Sequence, residues 1–269
     1  MKVDVAVIPA AGRGTRMRPA TRSVHKSFLP LVDRPAIQWI VEEGLRAGVS
    51  EFVVIVDPGQ ADLVVGHFEG LDGFADPVIH PVIQPRPAGL GDAVRHSREI
   101  VDGRPFFCML ADNLVWPDGD VLPRMAEASD GRSVVCLRDL DDEGLERYGV
   151  VVAGDLISER VVEVLGAVEK PGVDAAPSRL GLVGRYLFDA ALFDHLEALE
   201  PGHGGEIQLT DAIAALGEGG ACLVWVGERD LLDIGNPTGY LEAGVALGLA
   251  HPEIGPGFRA FLRALLEAG

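Results

Sequence analysis

The sequence is poor in positive charge: 23 Lys and Arg stand against 41 Asp and Glu in 269 residues, a formal net charge of −18. A field of that sign repels polyanions wherever it is not locally reversed, which disfavours a nonspecific grip on DNA, RNA or anionic lipid. Cysteine is scarce. The three present, Cys108, Cys136 and Cys222, are odd in number, lie in separate apolar runs and have no CxxC or metal-type spacing, which argues against a disulfide framework. That usage points to a reducing compartment, and a cytoplasmic protein is expected. No stretch approaches the ~18 uninterrupted apolar residues of a membrane span, and MKVDVAVIPA is too short and too interrupted for a signal peptide. The seven histidines show no HxH or HxxxH spacing, so no zinc site is expected, and His25 reads as a loop histidine without partners.

What is present has globular proportions, 48% hydrophobic and 24% charged. The length allows one large domain, or one domain with a smaller lobe. VDVAVI (3–8), EFVVIV (51–56), VIHPVI (78–83), PFFCML (105–110) and SVVCL (133–137) are continuous apolar runs, as expected of strands covered on both faces. Between them AIQWIVEEGLRAG (36–48) carries an apolar stripe at helical spacing and stops at Gly48, and GLGDAVRHSREIV (89–101) reads as a second helix. This order predicts an α/β fold with a Rossmann-like, doubly wound, mixed and mostly parallel sheet, its ligands at the carboxyl ends of the strands. From about residue 140 the texture becomes more irregular and β-rich. We expect one domain over 1–250, with one part at about 1–140 and a smaller lobe at about 141–235, then a C-terminal helix within 251–269.

Between Asp4 and Asp33 there is no acidic side chain, and Arg13, Arg16, Arg18, Arg22 and Lys26 all fall in that gap. The first strand runs directly into PAAGRGTR, so two glycines occupy the first strand-to-loop turn. Backbone N–H groups can close around phosphate at such a turn, because glycine adopts positive φ and lets the chain approach a ligand. A tight surface turn flanked by solvated arginines is the alternative, but a phosphate chain needs several cationic partners and a turn needs none. The pattern is GxGxxR. It fails the dinucleotide GxGxxG, and there is no GxxxxGK[ST], so NAD and P-loop readings are disfavoured.

GRGTRMRPATRSVHKSFLPLVDRPAIQWIVEEGLRAGV, followed in order by QPRPAGLGDAV (84–94), LADN (110–113), ERYGVV (146–151), VEKP (168–171), GGEIQLTDAI (204–213) and DIGNPTGYLEA (233–243), resembles the sugar-1-phosphate nucleotidylyltransferases over about residues 3–250. The wording is most similar to the bacterial uridylyl branch. The resemblance implies attack by a sugar-1-phosphate oxygen on the α-phosphorus of a nucleoside triphosphate, with UTP and glucose-1-phosphate as the default pair. A phosphate monoester has a second pKa near ~6, so its oxygen is already ionised and no general base is required. The Ser/His/Asp and Cys/His signatures are accordingly missing, and catalysis becomes positioning and charge neutralisation.

By the same resemblance Ala11, Gly12, Gly14 and Thr15 wrap the triphosphate, Arg16 meets the departing pyrophosphate, and Lys26 bridges the nucleotide and sugar phosphates. Gln84 and Gly89 read the base. Asp112, at the end of a strand, and Asp233 form a pair of carboxylates for Mg²⁺, which favours one or two carboxylates plus substrate oxygens. Gly149, Glu169, Lys170, Gly184 and Glu206 line the sugar-phosphate pocket. The chain departs from the uridylyl pattern at Ser27-Phe28, where Glu-Met is usual, and at Pro237, where a lysine is usual. LADN leans toward the thymidylyl branch and EIQLTDAI back to the uridylyl one. A thymidylyltransferase therefore stays open as an alternative. A catalytically silent subunit on the same fold is the other; loss of Lys26 or of either aspartate would mark it, and all three are present. A homo-oligomer, dimer or tetramer, is expected.

Overall fold

Val5, Ala6, Val7 and Ile8 have no solvent exposure at all. Successive residues of a strand point to opposite faces, so Ala6 and Ile8 join one core cluster with Ile37 and Ile40, while Val5 and Val7 join another with Val94 and Phe193. The same division holds at residues 52–56, where Phe52, Val54 and Val56 face the first cluster and Val53 and Ile55 the second. Unbroken apolar runs are thus the signature of a sheet wrapped on both sides.

The computed structural model describes residues 2–69, 77–115, 120–226 and 231–268. Of the expected domain ranges, Met1, 70–76, 116–119, 227–230 and Gly269 lie outside them. Among the described residues nine strands form one sheet: β1 (Val5–Pro9), β2 (Glu51–Val56), β3 (Val78–Ile83), β4 (Phe106–Met109), β5 (Ser133–Asp139), β6 (Gly149–Ser158), β7 (Val161–Glu169), β8 (Leu180–Phe188) and β9 (Cys222–Val226). Their spatial order is β3-β2-β1-β4-β8-β5-β9-β7-β6. The sheet is mixed, as expected: β3, β2, β1 and β4 run parallel, as do β5 and β9, while β8 is antiparallel to both β4 and β5. From β1 the chain winds outward through β2 and β3, then returns to β4 on the other side of β1. The crevice between β1 and β4 at their carboxyl ends is therefore the topological switch point, where open α/β sheets bind ligands.

The strands from 141–235 enter this same sheet. β8 lies between β4 and β5 near its middle, and the long β6–β7 hairpin extends its far edge. Helix α1 (Ala36–Arg46) ends as expected before Gly48, at φ 90°. The expected helix over 89–101 is broken into α2 (Leu90–Arg95) and a short turn at Arg98–Val101. Ser97 is the reason: its hydroxyl and its own N–H both donate to the Val94 carbonyl, which closes a tight turn in place of an α-helical one. Gly89 stands before α2 at φ 110° and is not helical. Helices α3 (Leu209–Glu218) and α4 (Pro237–Ala250) follow, and α5 (Gly255–Glu267) lies within the range expected for a C-terminal helix. All three cysteines are buried and outside any disulfide, and among the described residues no helix is long and apolar enough to cross a membrane.

One buried cation organises the region under the switch point. Arg185 of β8 is fully enclosed; its Nε and Nη2 donate to Glu43 Oε1 and Oε2 of α1 at 2.9 and 2.7 Å. The remaining N–H groups reach the carbonyls of Gly184 at 2.9 Å and Asn113 at 2.8 Å. The guanidinium therefore ties α1 and β8 to the turn that follows β4. Removing one member of such a pair leaves an uncompensated charge in the interior, so Glu43→Ala is expected to lower stability by about 3–5 kcal/mol. Urea unfolding followed by circular dichroism checks this; a change near zero would show that the pair carries no such weight.

Candidate active site

The cations gathered near the N-terminus meet carboxylates from the middle and the end of the chain. β1 gives way to a loop in which Gly14, at φ 56°, starts a short turn over Thr15–Met17. A Cβ on Gly14 would lie 3.0 Å from Lys26 Cβ and 3.1 Å from Thr21 Cγ2, and one on Gly12 would lie 3.5 Å from Lys26 Nζ. The glycines thus let the Lys26 side chain lie directly against the loop. Lys26 Nζ ends 2.7 Å from Asp112 Oδ2.

His25 fastens the arrangement. Its Nε2 is 3.0 Å from the Gly12 carbonyl, and its Nδ1 accepts the Ser27 N–H at 3.4 Å. A carbonyl on one side and an N–H on the other select the neutral ring with its proton on Nε2. Burial moves its pKa below the ordinary value and Lys26 adds to this, against the opposing pull of Asp57 and the Gly12 carbonyl. The expectation of a histidine without partners is therefore corrected: the ring links the glycine loop to the Lys26 turn, an encounter of residues too far apart for sequence pattern to reveal.

Asp112 and Asp233 come from different parts of the chain and are brought together by a small antiparallel ribbon, Asn113–Val115 with Leu231–Asp233. Asp233 lies opposite Asn113, and the Ile234 N–H donates to the Asp112 carbonyl at 2.8 Å. A Cβ built on Gly235 would be 3.0 Å from Asp112 Oδ2, from Asp233 Oδ1 and from Arg16 Nη2. Both carboxylates and one guanidinium therefore converge on a point kept open by the lack of a side chain. For Asp112, burial favours the neutral acid, but the charge and hydrogen bond of Lys26, helped by Arg16, outweigh it, so its pKa lies below the usual carboxylate range. Asp233 accepts from the Gly235 N–H at 2.8 Å, from Arg147 Nη2 and Tyr148 Oη at 2.8 Å each, and from Asn236 Nδ2 at 3.1 Å. Burial and the Asp233 charge push the Tyr148 phenol up to about 12, so it stays a donor. Among the described residues no group of three or more His, Cys, Asp or Glu side chains forms a metal cage. Two carboxylates facing one open point suit a Mg²⁺ ion that completes its shell with phosphate oxygens and water.

Two cavities meet here. One, of about 490 Å³, runs along Ala11, Gly12, Gln84, Gly89 and Leu90; the other, of about 410 Å³, along Arg16, Arg147, Gly149, Glu169, Lys170 and Asp233. Lys26, Asp112 and Glu206 line both. In the second cavity Glu169 accepts from Thr210 Oγ1 at 2.6 Å and pairs with Lys170 Nζ at 2.9 Å. Lys170 holds φ at 46°, uncommon outside glycine, asparagine and aspartate. Gly149 packs tightly beside this pair: a Cβ there would stand 2.7 Å from Thr210 Oγ1, and Thr210 would have to shift.

The sequence matches the family described as Nucleotidyl transferase over residues 5–248. The chain belongs to that family. It is 32% identical over 286 aligned positions to a UTP–glucose-1-phosphate uridylyltransferase of Staphylococcus epidermidis, covering 98% of this chain and 99% of the relative. A solved UDP-glucose pyrophosphorylase complexed with UDP-glucose superposes with a TM-score of 0.85 at 29% identity, over 93% of this chain and all of the other. A UTP-bound enzyme of the same name from Acinetobacter baumannii gives 0.83 at 31% identity, over 97% and 99%.

Within this nucleotidyl transferase most residues expected from the sequence line one cavity or the other. Gly14, Thr15 and Gly184 line neither. Gly184, at φ 80°, lies beneath the Asp112 turn; a Cβ there would stand 2.6 Å from Asn113 Nδ2, and its carbonyl accepts the Leu110 N–H at 2.9 Å. Of the flanking arginines Arg13 lines the first cavity, and Arg18 and Arg22 are exposed and line neither. Arg147, Tyr148, Thr210 and Gly235 were not expected as site residues. All four sit inside the motifs ERYGVV, EIQLTDAI and DIGNP, so the motifs held the signal, but the roles arise from contacts across the fold. Gly235→Ala tests the shared point directly: a methyl group would displace Arg16, Asp112 and Asp233 together. A misplacement of about 1 Å costs on the order of 10²-fold in rate. We expect that loss in pyrophosphate release, with the melting temperature little changed.

Proposed function

We propose that the protein transfers a uridylyl group from UTP to glucose-1-phosphate, giving UDP-glucose and pyrophosphate. The observation that carries this reading is the meeting of two cavities at Lys26 and Asp112. A nucleotide with its base near Gln84 and Gly89 and a sugar phosphate near Glu169 and Lys170 would bring their phosphates together at that junction. The names of the related enzymes supply the choice of UTP and glucose-1-phosphate.

The sugar phosphate arrives ionised, so its oxygen attacks the α-phosphorus without a base, and pyrophosphate leaves from the opposite side. Lys26 sits between the two substrates and neutralises the oxygens that would repel one another. Arg16 is placed for the leaving pyrophosphate. Glu169, steadied by Thr210, accepts a sugar hydroxyl, and Lys170 holds the sugar phosphate. Mg²⁺, held by Asp112 and Asp233, would supply further charge neutralisation to the phosphate oxygens. The departures from the uridylyl pattern leave this set untouched. Ser27 is buried away from both cavities, Phe28 packs edge-on against the His67 ring at 5.9 Å, and Pro237 occupies the first position of α4, where proline is well tolerated.

The same reading includes a cytoplasmic enzyme, in keeping with three buried cysteines that form no disulfide. It also includes a homo-oligomer. Exposed Leu241, Phe261, Leu265 and Leu266 on α4 and α5 favour self-association, which sedimentation equilibrium tests.

A grid of nucleoside triphosphates against sugar-1-phosphates, read as pyrophosphate release, decides the substrates. Release is expected to require Mg²⁺, UTP and glucose-1-phosphate together, and better use of dTTP would move the assignment to the thymidylyl branch. Lys26→Ala is expected to lower kcat by about 10²–10³-fold; an unchanged rate would remove Lys26 from its role.

A further inference from the structure

Gln84 lies just beyond β3, 4% exposed, with its side chain on the cavity that also holds the glycine loop. Its amide nitrogen has two hydrogens, and both are committed. One goes to Asp92 Oδ2 at 2.8 Å, the other to the Gly89 carbonyl at 3.2 Å. Turning the amide over would set its carbonyl oxygen against a carboxylate and a second carbonyl, three acceptors with no proton among them. Oε1 is thereby left as the polar atom the side chain can offer a ligand.

Asp92 is itself held. It belongs to α2, is 5% exposed, and its other oxygen accepts from Arg95 Nη2 at 2.6 Å, with His96 Nε2 at 3.5 Å from Oδ2. An ionised carboxylate accepts and does not donate, so it fixes the sense of its neighbour's amide as a neutral side chain would not. The helix that carries it is preceded by Gly89, where a Cβ would stand 2.4 Å from the Ile207 carbonyl. The Gly89 carbonyl therefore sits at a point of the backbone fixed by close packing.

We infer that Asp92 is a positioning residue that makes the nucleotide site select bases carrying a ring N–H, as uracil and thymine do at N3, over cytosine of the same size. Cytosine N3 is an acceptor and would face Gln84 Oε1 with no proton between them. The inference rests on the placement of the base beside Gln84 in the proposed function. Asp92 touches no reacting atom and acts through the glutamine alone.

Substitution Asp92→Asn keeps the shape and removes the shorter of the two constraints, leaving the longer contact with the Gly89 carbonyl. With its oxygen held by Arg95, the new amide turns its NH2 toward Gln84, which can then reverse at the cost of that longer contact and present its own NH2 to the cavity. Calorimetric titration with UTP and with CTP reads this without requiring turnover. The unsubstituted protein is expected to bind UTP much more tightly than CTP, and in Asp92→Asn the ratio of the two Kd values is expected to shift toward CTP by about tenfold or more. Arg95→Ala, which leaves the carboxylate in place, is expected to keep the original ratio. Equal weakening of both nucleotides in Asp92→Asn would show a merely structural role and overturn the inference. So would a shift in Arg95→Ala as large as that in Asp92→Asn, or equal binding of UTP and CTP by the unsubstituted protein. A protein that shows the expected Kd ratios but releases no pyrophosphate would refute the proposed reaction and leave the role of Asp92 standing.

Discussion

The guanidinium of Arg185 has no contact with water, and the site above it depends on that charge being matched. A buried cation is tolerated where its donors find acceptors, and here they find the Glu43 carboxylate and the carbonyls of Gly184 and Asn113. Asn113 adjoins Asp112, so the turn that aims Asp112 outward is tied from beneath to α1 and β8. Asn113 in turn opens the ribbon that brings Asp233 alongside. One ion pair in the interior thus sets the level at which two carboxylates from distant parts of the chain stand together.

Above that base the site is built from charges of both signs in contact. Lys26 leans on Asp112, Arg147 on Asp233, and Lys170 on Glu169. Each carboxylate holds a cation in place, and Lys26 keeps Asp112 ionised against the burial that favours its neutral acid. Such pairs are poised for substrate. A phosphate brings new negative charge to the lysines and arginines, and a divalent cation brings new positive charge to the aspartates, so both arrivals exchange one favourable partner for another. In a chain of net negative charge, Arg16, Lys26, Arg147 and Lys170 are gathered on the wall of one cavity, where a small anion can meet them.

Glycine plays a geometric part at two of these positions. Gly235 leaves the space in which Asp112, Asp233 and Arg16 meet, and Gly149 leaves the space through which Thr210 reaches Glu169. Neither has positive φ. Their value lies in the side chain they lack, which makes them hard to tell apart from ordinary loop and strand glycines in a sequence.

The sequence by itself determined the order of strands and helices, because burial on both faces leaves unbroken apolar runs and burial on one leaves a stripe. It also determined the cationic gap before Asp33, the glycine loop after β1 and Asp112 just past the end of β4, since these are local features of composition and position. Three things had to wait for the folded chain. The break in the 89–101 helix depends on a hydroxyl that competes for one carbonyl, which propensity does not register. The place of β8 near the middle of the sheet depends on which strands pair, and apolar runs look alike whether they pair with near or distant neighbours. The partners of His25, Arg147 and Asp92 depend on the direction of single hydrogen bonds, and Lys26 meets Asp112 across 86 positions of chain. Periodicity encodes which face of an element is buried, but the residue waiting on the far side is decided only when the whole sheet has closed around it.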